Sequence, residues 1–173
     1  DLSEQSICEA SESANEALEF YQHDMRKLFR TNYFEVVFNL FTRFGYFEKR
    51  EDDLHVFDSV QKALKSNGLF VFDYLNSEYV KSRMVECDSK TIDGITFNIS
   101  KKIENNTIIK SIDFTDKGAS FHFEERVKLF DKTYFEGLAK ECNLTILNTF
   151  GNYHLQEFDI NTSPRLILVL QKK

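Results

Sequence analysis

One unit near the middle of the chain constrains the fold more than any other. Phe34-Glu35-Val36-Val37-Phe38-Asn39-Leu40 is a nearly continuous apolar run, the pattern of a strand buried on both faces. Asp52 and Asp53 then open a helical pattern in which Leu54, Phe57, Val60, Ala63 and Leu64 share one side, and Asn67-Gly68 stops it. Leu69-Phe70-Val71-Phe72-Asp73 follows at once as a second buried strand. Strand, helix, stop and strand in this order predict a right-handed crossover and a parallel sheet.

The pattern changes after Asn76. From about Ile92 to Phe130 the period is two: Ile95, Phe97, Ile99 and Ile103 alternate with polar residues, and Asn105-Asn106 makes a turn. Ile108, Ile112 and Phe114 alternate on the return, Asp116-Lys117-Gly118 turns again, and Phe121, Phe123, Val127 and Leu129 lie on a third strand. An antiparallel meander with one wet face is expected, forming its own sheet against the carboxyl edge of the parallel one. Elsewhere, Ser3 caps a helix to about Ala14, and Leu18 to His23 reads as a short strand. Asp131 caps a helix carrying Tyr134, Phe135, Leu138, Ala139 and Cys142, and Leu144 to Phe150 and Arg165 to Leu170 read as closing strands. With 173 residues this suits one globular domain, and eighteen Phe with seven Tyr supply its core.

Charge and composition narrow the function classes. The net charge of −6 disfavours a general nucleic-acid binder, though a local basic pocket stays compatible with it. No apolar run approaches the roughly 20 residues that cross a bilayer. Cys8, Cys87 and Cys142 form no CxxC pair and no disulfide framework, and His23, His55, His122 and His154 lack metal-ligand spacing. Asp1-Leu2-Ser3-Glu4 carries no basic stretch leading into an apolar run. Together these lead to the expectation of a cytoplasmic protein with reduced thiols, no metal, no membrane and no nucleic-acid partner.

Acids and aromatics at predicted strand ends are the candidates for chemistry, because open parallel sheets bind ligands there. Asp24 follows the segment Leu18–His23, and Asp1 precedes the first capped helix; either could receive ribose hydroxyls or an exocyclic amine, and either could be an ordinary loop or capping acid. Asn39-Leu40-Phe41-Thr42-Arg43-Phe44-Gly45-Tyr46-Phe47 carries a strand into a loop with four aromatics, which either pack down or wall a pocket. Asp73-Tyr74 closes the next strand at the same edge, and Asp73 reads as a structural acid ahead of a catalytic base. No GxGxxG, P-loop or GxSxG motif is present.

Taken in order, these segments resemble class I S-adenosylmethionine-dependent methyltransferases. Asp1-Leu2-Ser3-Glu4-Gln5-Ser6-Ile7 is similar to the end of that family's second strand, and Phe20-Tyr21-Gln22-His23-Asp24-Met25-Arg26 to the segment after its third. The stretch from Asn39 to Phe47 resembles the fourth-strand motif of a bacterial small-molecule subgroup. Leu64-Lys65-Ser66-Asn67-Gly68-Leu69-Phe70-Val71-Phe72-Asp73 resembles the glycine turn into the fifth strand, and Arg165-Leu166-Ile167-Leu168-Val169 the last, antiparallel strand. The fold implied is α/β: a Rossmann-like class I sheet, incomplete at the N-terminus, with an antiparallel β-meander insertion after strand five. Residues 1–76 would form the C-terminal part of the cofactor-binding core, 77–130 an insertion over the substrate site, and 131–173 the closing helix and last two strands.

The resemblance also implies roles. Asp1 and Leu2 would meet the cofactor ribose, Asp24 the adenine amine, and Met25 the ring; Asn39 and Leu40 would line the methionine end. Phe41, Phe44, Tyr46 and Tyr74 would face a small-molecule substrate. Methyl transfer would proceed by direct displacement, which asks the protein mainly to align a nucleophile and exclude water. The absence of an Asp/Asn-Pro-Pro-aromatic pattern in the fourth-strand segment favours a small-molecule acceptor. The family's strand order is three-two-one-four-five-seven-six, and its glycine-rich first motif has no counterpart in these residues. The expectation is therefore an upstream segment of roughly 35–60 residues or a partner strand in its place, and weak cofactor binding without one. A homodimer stays open. The competing readings are a non-catalytic or regulatory fragment with this fold, and an NAD-dependent oxidoreductase on a similar sheet.

Overall fold

The computed structural model describes residues 1–173, and its elements follow the local chemistry of the sequence. Helix α1 (Glu4–Ser11) starts where the Ser3 hydroxyl accepts the Ser6 N–H at 3.1 Å. Strand β1 (Phe34–Asn39) leads through the aromatic loop to helix α2 (Arg50–Ala63), which carries three acids in its first turn. Strand β2 (Leu64–Leu75) follows without a break. Helix α3 (Ser77–Arg83) is capped by the Asn76 side chain. Strands β3 (Cys87–Ile92), β4 (Ile95–Glu104), β5 (Thr107–Asp116) and β6 (Ala119–Lys128) come next. Helix α4 (Lys132–Glu141), capped by Asp131 on the Tyr134 N–H at 2.8 Å, precedes β7 (Leu144–Phe150) and β8 (Arg165–Lys172). No helix is long and apolar enough to cross a membrane.

Two sheets result. The main sheet has the order β1-β2-β8-β7, with β1 and β2 parallel and β8 antiparallel to both its neighbours. The second has the order β3-β4-β5-β6, antiparallel throughout. In the main sheet, Phe70, Phe72 and Tyr74 of β2 share one face with Leu166, Leu168 and Leu170 of β8. Against that face α2 places Val56 and Phe57, and α4 places Phe135 and Leu138; all are buried in one cluster. Edge-to-face aromatic pairs run through it, as in Phe57–Phe70 at 5.5 Å and Tyr74–Phe135 at 4.9 Å.

Three expectations are corrected. Leu18 to His23 forms no strand of either sheet; its one bridge joins Leu18 to Asn15, and a strand without a neighbour leaves its backbone to water. The segment is tied instead to the start of the chain, the His23 N–H donating to the Asp1 carbonyl at 2.9 Å and the Gln22 amide to the Leu2 carbonyl at 2.9 Å. Helix α2 ends at Ala63 rather than at Asn67-Gly68. Leu64 already pairs with Phe34, and the residues up to Gly68 bulge out of the ladder before Leu69 pairs with Val36. Asn67 takes φ 62° in this bulge, and a side chain at Gly68 would meet the Lys65 carbonyl oxygen at 2.9 Å. The third correction is the meander, which has four strands rather than three. The polar, exposed β3 pairs with β4 across the Asp93-Gly94 turn, where both residues have positive φ.

Asp53 on α2 is fully buried. Its Oδ2 accepts the Tyr134 hydroxyl at 2.6 Å, while Oδ1 has no partner. Burial raises its pKa above the ordinary 3.8, because the charged form loses water there. An acid whose folded pKa is raised stabilises the fold below its unfolded pKa, and that contribution is lost as pH rises through the folded value. Asp53→Asn is therefore expected to make the protein more stable at neutral pH and to flatten the decline of stability above about pH 4. Urea melts at several pH values check this; a variant less stable than the parent at pH 7 contradicts it.

Candidate functional site

The carboxyl ends of β1 and β2 lie side by side because the strands are parallel and paired from Val36–Leu69 to Asn39–Phe72. Past β1 the chain turns sharply: Phe41 and Thr42 both adopt left-handed backbone, at φ 61° and 56°. That conformation is costly for side-chain-bearing residues, above all for a β-branched one, and persists only where the surroundings fix it. The buried Asp73, near the end of β2, fixes it. Its Oδ2 accepts the Phe41 N–H at 2.7 Å and its backbone carbonyl accepts the Thr42 N–H at 3.3 Å. Arg165, which opens β8, donates from Nε to Asp73 Oδ1 at 2.7 Å and from Nη2 to the Thr42 hydroxyl at 2.8 Å. The Tyr153 hydroxyl adds a bond to Asp73 Oδ2 at 2.8 Å. Asp73 is thus the structural acid expected of it, with all its bonds inside the protein.

The turn separates the loop's aromatics. Phe41 is 69% exposed and Tyr46 is 44% exposed, and both border a cleft of about 250 Å³ between the main sheet's carboxyl edge and the second sheet. Phe44 departs from the substrate-facing expectation. It is wholly buried, in edge contact with Phe57 at 5.8 Å and Phe72 at 5.2 Å. Tyr74 departs too: it continues the Phe70/Phe72 alternation into the core, and its hydroxyl donates to the Lys128 carbonyl. Burial explains both, since an aromatic surrounded by apolar side chains on the helix-covered face has no path to a ligand. Phe47 also packs against the core.

Gly45 joins the sheets. Its carbonyl accepts the Lys128 N–H at 2.9 Å, its φ is 91°, and a side chain there would collide with the Tyr74 hydroxyl. Across the cleft the Tyr46 hydroxyl donates to Glu125 Oε1 at 2.8 Å. Burial and this carboxylate push the Tyr46 pKa up to about 12, so the phenol stays protonated and serves as a donor.

Of the residues expected to meet a cofactor, Asp1, Leu2, Asp24 and Met25 lie on the chain before β1, which is tied to α2, and Asn39 and Leu40 lie at the carboxyl end of β1. Asp1 is exposed, and its Oδ1 accepts the Ser3 N–H at 2.9 Å. Leu2 is exposed beside it. The hydrogen bonds from Gln22 and His23 bring Asp1 and Leu2 next to Asp24 and Met25. Asp24 forms a fork with Arg26, Oδ2 lying 2.7 Å from Nη2, and Arg26 reaches on to Asp52 at 3.1 Å. The Arg26 guanidinium holds the Asp24 carboxyl down at about 2. Met25 is partly exposed and its carbonyl accepts the Ser59 hydroxyl at 2.8 Å, tying this loop to α2. Asn39 closes β1 with its side-chain oxygen buried and unpartnered. Buried polar atoms without partners are rare and cost about 1–3 kcal/mol, so this acceptor is a marked feature of the edge. Leu40 follows it, half-buried.

The strand order decides the fold. An antiparallel hairpin strand inserted between the last parallel strand and its partner reproduces the four-five-seven-six part of the class I order. This is the class I methyltransferase fold. Solved structures bear it out. A S-adenosylmethionine-dependent methyltransferase from Clostridium acetobutylicum superposes with a TM-score of 0.84 at 18% identity, over 99% of this chain and 72% of its own. The CcbJ methyltransferase of Streptomyces caelestis gives 0.82 at 14% identity, over 100% and 78%. CalS10, an amino pentose methyltransferase from Micromonospora echinaspora solved with S-adenosylmethionine bound, gives 0.72 at 12% identity, over 100% and 72%. No protein-family profile and no curated protein matches the sequence.

Arg165, Tyr153, Lys101, Lys110 and Glu125 were not singled out from the sequence. Arg165 and Tyr153 sit far from Asp73 along the chain and carry no local signal. The other three did carry one: each is a charge in a row of otherwise apolar, alternating positions.

Proposed function

We propose that this chain is a methyltransferase that uses S-adenosylmethionine and transfers the methyl group to a small-molecule acceptor by direct displacement. What supports the proposal is the four-five-seven-six strand order of the class I fold, with the unpartnered buried oxygen of Asn39 at the carboxyl end of β1 and a separate cleft beginning two residues beyond it. The residues present fit the cofactor. Asn39 offers a buried oxygen that lacks a donor, Asp1 an exposed carboxylate for hydroxyls, and Met25 an exposed apolar surface for a ring. Asp24 would receive an amine while keeping its link to Arg26. Bound there, S-adenosylmethionine supplies an electrophilic methyl group on a sulfonium.

The rest is the work of this chain's own side chains. The strained Phe41–Thr42 turn, held by Asp73, orients the Phe41 ring at the cleft mouth. Leu75, Ile108 and Val127 line the cleft and exclude water from the acceptor. Glu125 is the one carboxylate on the cleft wall, and Tyr46 holds it by hydrogen bond where it can take a proton from the acceptor. The small-molecule character of the acceptor is supported by the cleft's size and by neighbours such as KedS8, a sugar N-methyltransferase from Streptoalloteichus with a TM-score of 0.73 at 13% identity, over 98% of this chain and 68% of its own.

The test is calorimetric titration of S-adenosylmethionine into the parent protein, Asp24→Ala and Arg26→Ala. A carboxylate hydrogen-bonded to the adenine amine is worth about 1.5–3 kcal/mol, so Asp24→Ala is expected to weaken binding roughly 10–150-fold. Arg26→Ala breaks the same fork while leaving the acid in place, and is expected to cost much less. Equal losses in both variants, or none in either, contradict the assigned role of Asp24.

A further inference from the structure

The second sheet presents one face built in cross-strand rows. Phe97, Phe114 and Phe121 form one row, Ile99, Ile112 and Phe123 the next, and Ile103, Ile108 and Val127 another. Between the last two lies the charged row Lys101–Lys110–Glu125, flanked just before β3 by Glu86, whose carbonyl accepts the Lys101 N–H at 2.7 Å; β3 also sets Asp88 beside Ile99 and Lys90 beside Phe97. Like charges directly opposite each other destabilise a sheet, and here Lys101 and Lys110 are direct partners between the apolar pairs Ile99–Ile112 and Ile103–Ile108. Glu125 does not balance them. It lies 4.0 Å from the Lys110 ammonium and is bound by the Tyr46 hydroxyl on its other oxygen, while Lys101 forms no ion pair. Arg165, on the opposite wall, is neutralised by Asp73. The cleft therefore keeps an uncompensated positive charge in a protein whose net charge is −6. Both lysines are half-buried on the cleft wall, where the unpaired charge of Lys101 costs more than at a free surface.

We propose that Lys101 and Lys110 bind an oxyanion group of the acceptor, a carboxylate or a phosphate, and so set the acceptor's orientation and class. This rests on the reading of the cleft as the acceptor pocket. An anion bridging the two ammonium groups removes their repulsion. The apolar rows on either side favour an acceptor whose body beyond the anion is apolar or ring-shaped. Glu125, at the other end of the charged row, repels a second anion and leaves that end for a neutral nucleophile, an amine arriving protonated giving its proton to Glu125 before attack.

The experiment is titration of inorganic phosphate, and separately of acetate, into the full chain at low ionic strength, followed by amide shifts on β4 and β5. The parent and the Lys101→Gln/Lys110→Gln variant are compared. At least one anion is expected to give saturable shifts around Lys101 and Lys110, and the anion that does identifies phosphate or carboxylate as the preferred group. The double variant is expected to bind it at least tenfold more weakly. Lys101→Gln alone is expected to raise the melting temperature without anions and to lose the stabilisation that the anion gives the parent. Absence of binding to both anions, or binding that survives loss of both lysines, overturns the proposal. Titration of the double variant with S-adenosylmethionine separates the two readings. Cofactor binding without anion binding removes only this inference; lysine-dependent anion binding in a protein indifferent to the cofactor keeps the anion site and removes the methyltransferase reading.

Discussion

Phe44→Ala is expected to cost about 3–5 kcal/mol of stability, a large part of the roughly 5–15 kcal/mol that holds a domain together. Phe44 has no exposed surface and meets Phe57, Phe72, Tyr74, Phe130 and Phe135, with ring centroids 5.2–6.5 Å away. It is the link by which the loop after β1 is pinned to both helices and to β2. Truncation leaves a cavity where α2, α4 and the sheet converge, and these three are anchored elsewhere, so they cannot close it by a small shift. Chemical denaturation reads the effect as a lower midpoint with an unchanged slope. Phe41→Ala serves as the contrast. That ring is mostly exposed, so its loss is expected to leave stability within about 0.5 kcal/mol. Equal costs in the two variants contradict the division of the loop into one core aromatic and one cleft aromatic.

Asp73→Ala is the second large effect, expected to cost about 3 kcal/mol. The aspartate is fully buried, and removing it strands the Arg165 guanidinium, whose side chain is 21% exposed, without its carboxylate. Four donors lose their acceptor or its placement: the Phe41 N–H, the Tyr153 hydroxyl and two groups of Arg165. The left-handed Phe41–Thr42 backbone then has nothing to hold it. The double variant Asp73→Leu/Arg165→Met separates charge from scaffold. Replacing both partners with apolar groups of similar volume is expected to recover much of the stability. It is not expected to restore the turn, and hydrogen exchange at Phe41 and Thr42 stays fast in both variants. Protected exchange at Phe41 in Asp73→Ala contradicts the account of how the turn is fixed.

Much of the fold was legible because the order and period of the apolar runs fix which elements pair. Strand β1, however, is not buried on both faces as its apolar run predicts: it has no fully buried residue and leaves Phe38 62% exposed, because no strand covers its outer edge. The apolar runs at Phe34–Leu40 and Leu69–Asp73, with an amphipathic helix between them, predict parallel neighbouring strands, and β1 and β2 pair in parallel. The alternation from Ile95 to Val127 marks a sheet with one apolar face for the same reason. Failures occurred where local pattern is silent about partners. Leu18 to His23 has strand-like residues and no strand to pair with. Strand β3 is polar from Asp88 to Thr91 and exposed along its length, so only its Asp93-Gly94 turn announced it. Of the polar residues expected to meet the cofactor, only Asn39 stands at the end of a strand as its sequence position predicts; Asp24 follows a segment that forms no strand, and Asp1 precedes α1. Which aromatics would face a ligand was not legible. Phe41, Phe44 and Tyr46 are chemically alike, and two left-handed residues decide which turn inward. Tyr74 alone could have been placed, since it keeps the parity of Phe70 and Phe72.

The proposed function requires that Asp1, Asp24 and Asn39 take S-adenosylmethionine together. Amide shift mapping tests it most directly, because it detects weak as well as tight binding and reports position. Titration of S-adenosylmethionine into isotope-labelled protein is expected to move the resonances of residues 2, 24–25 and 39–42 together on one saturable curve, while NAD leaves them in place. Shifts that fall on the far edge of the sheet, or that NAD produces and S-adenosylmethionine does not, would contradict the account.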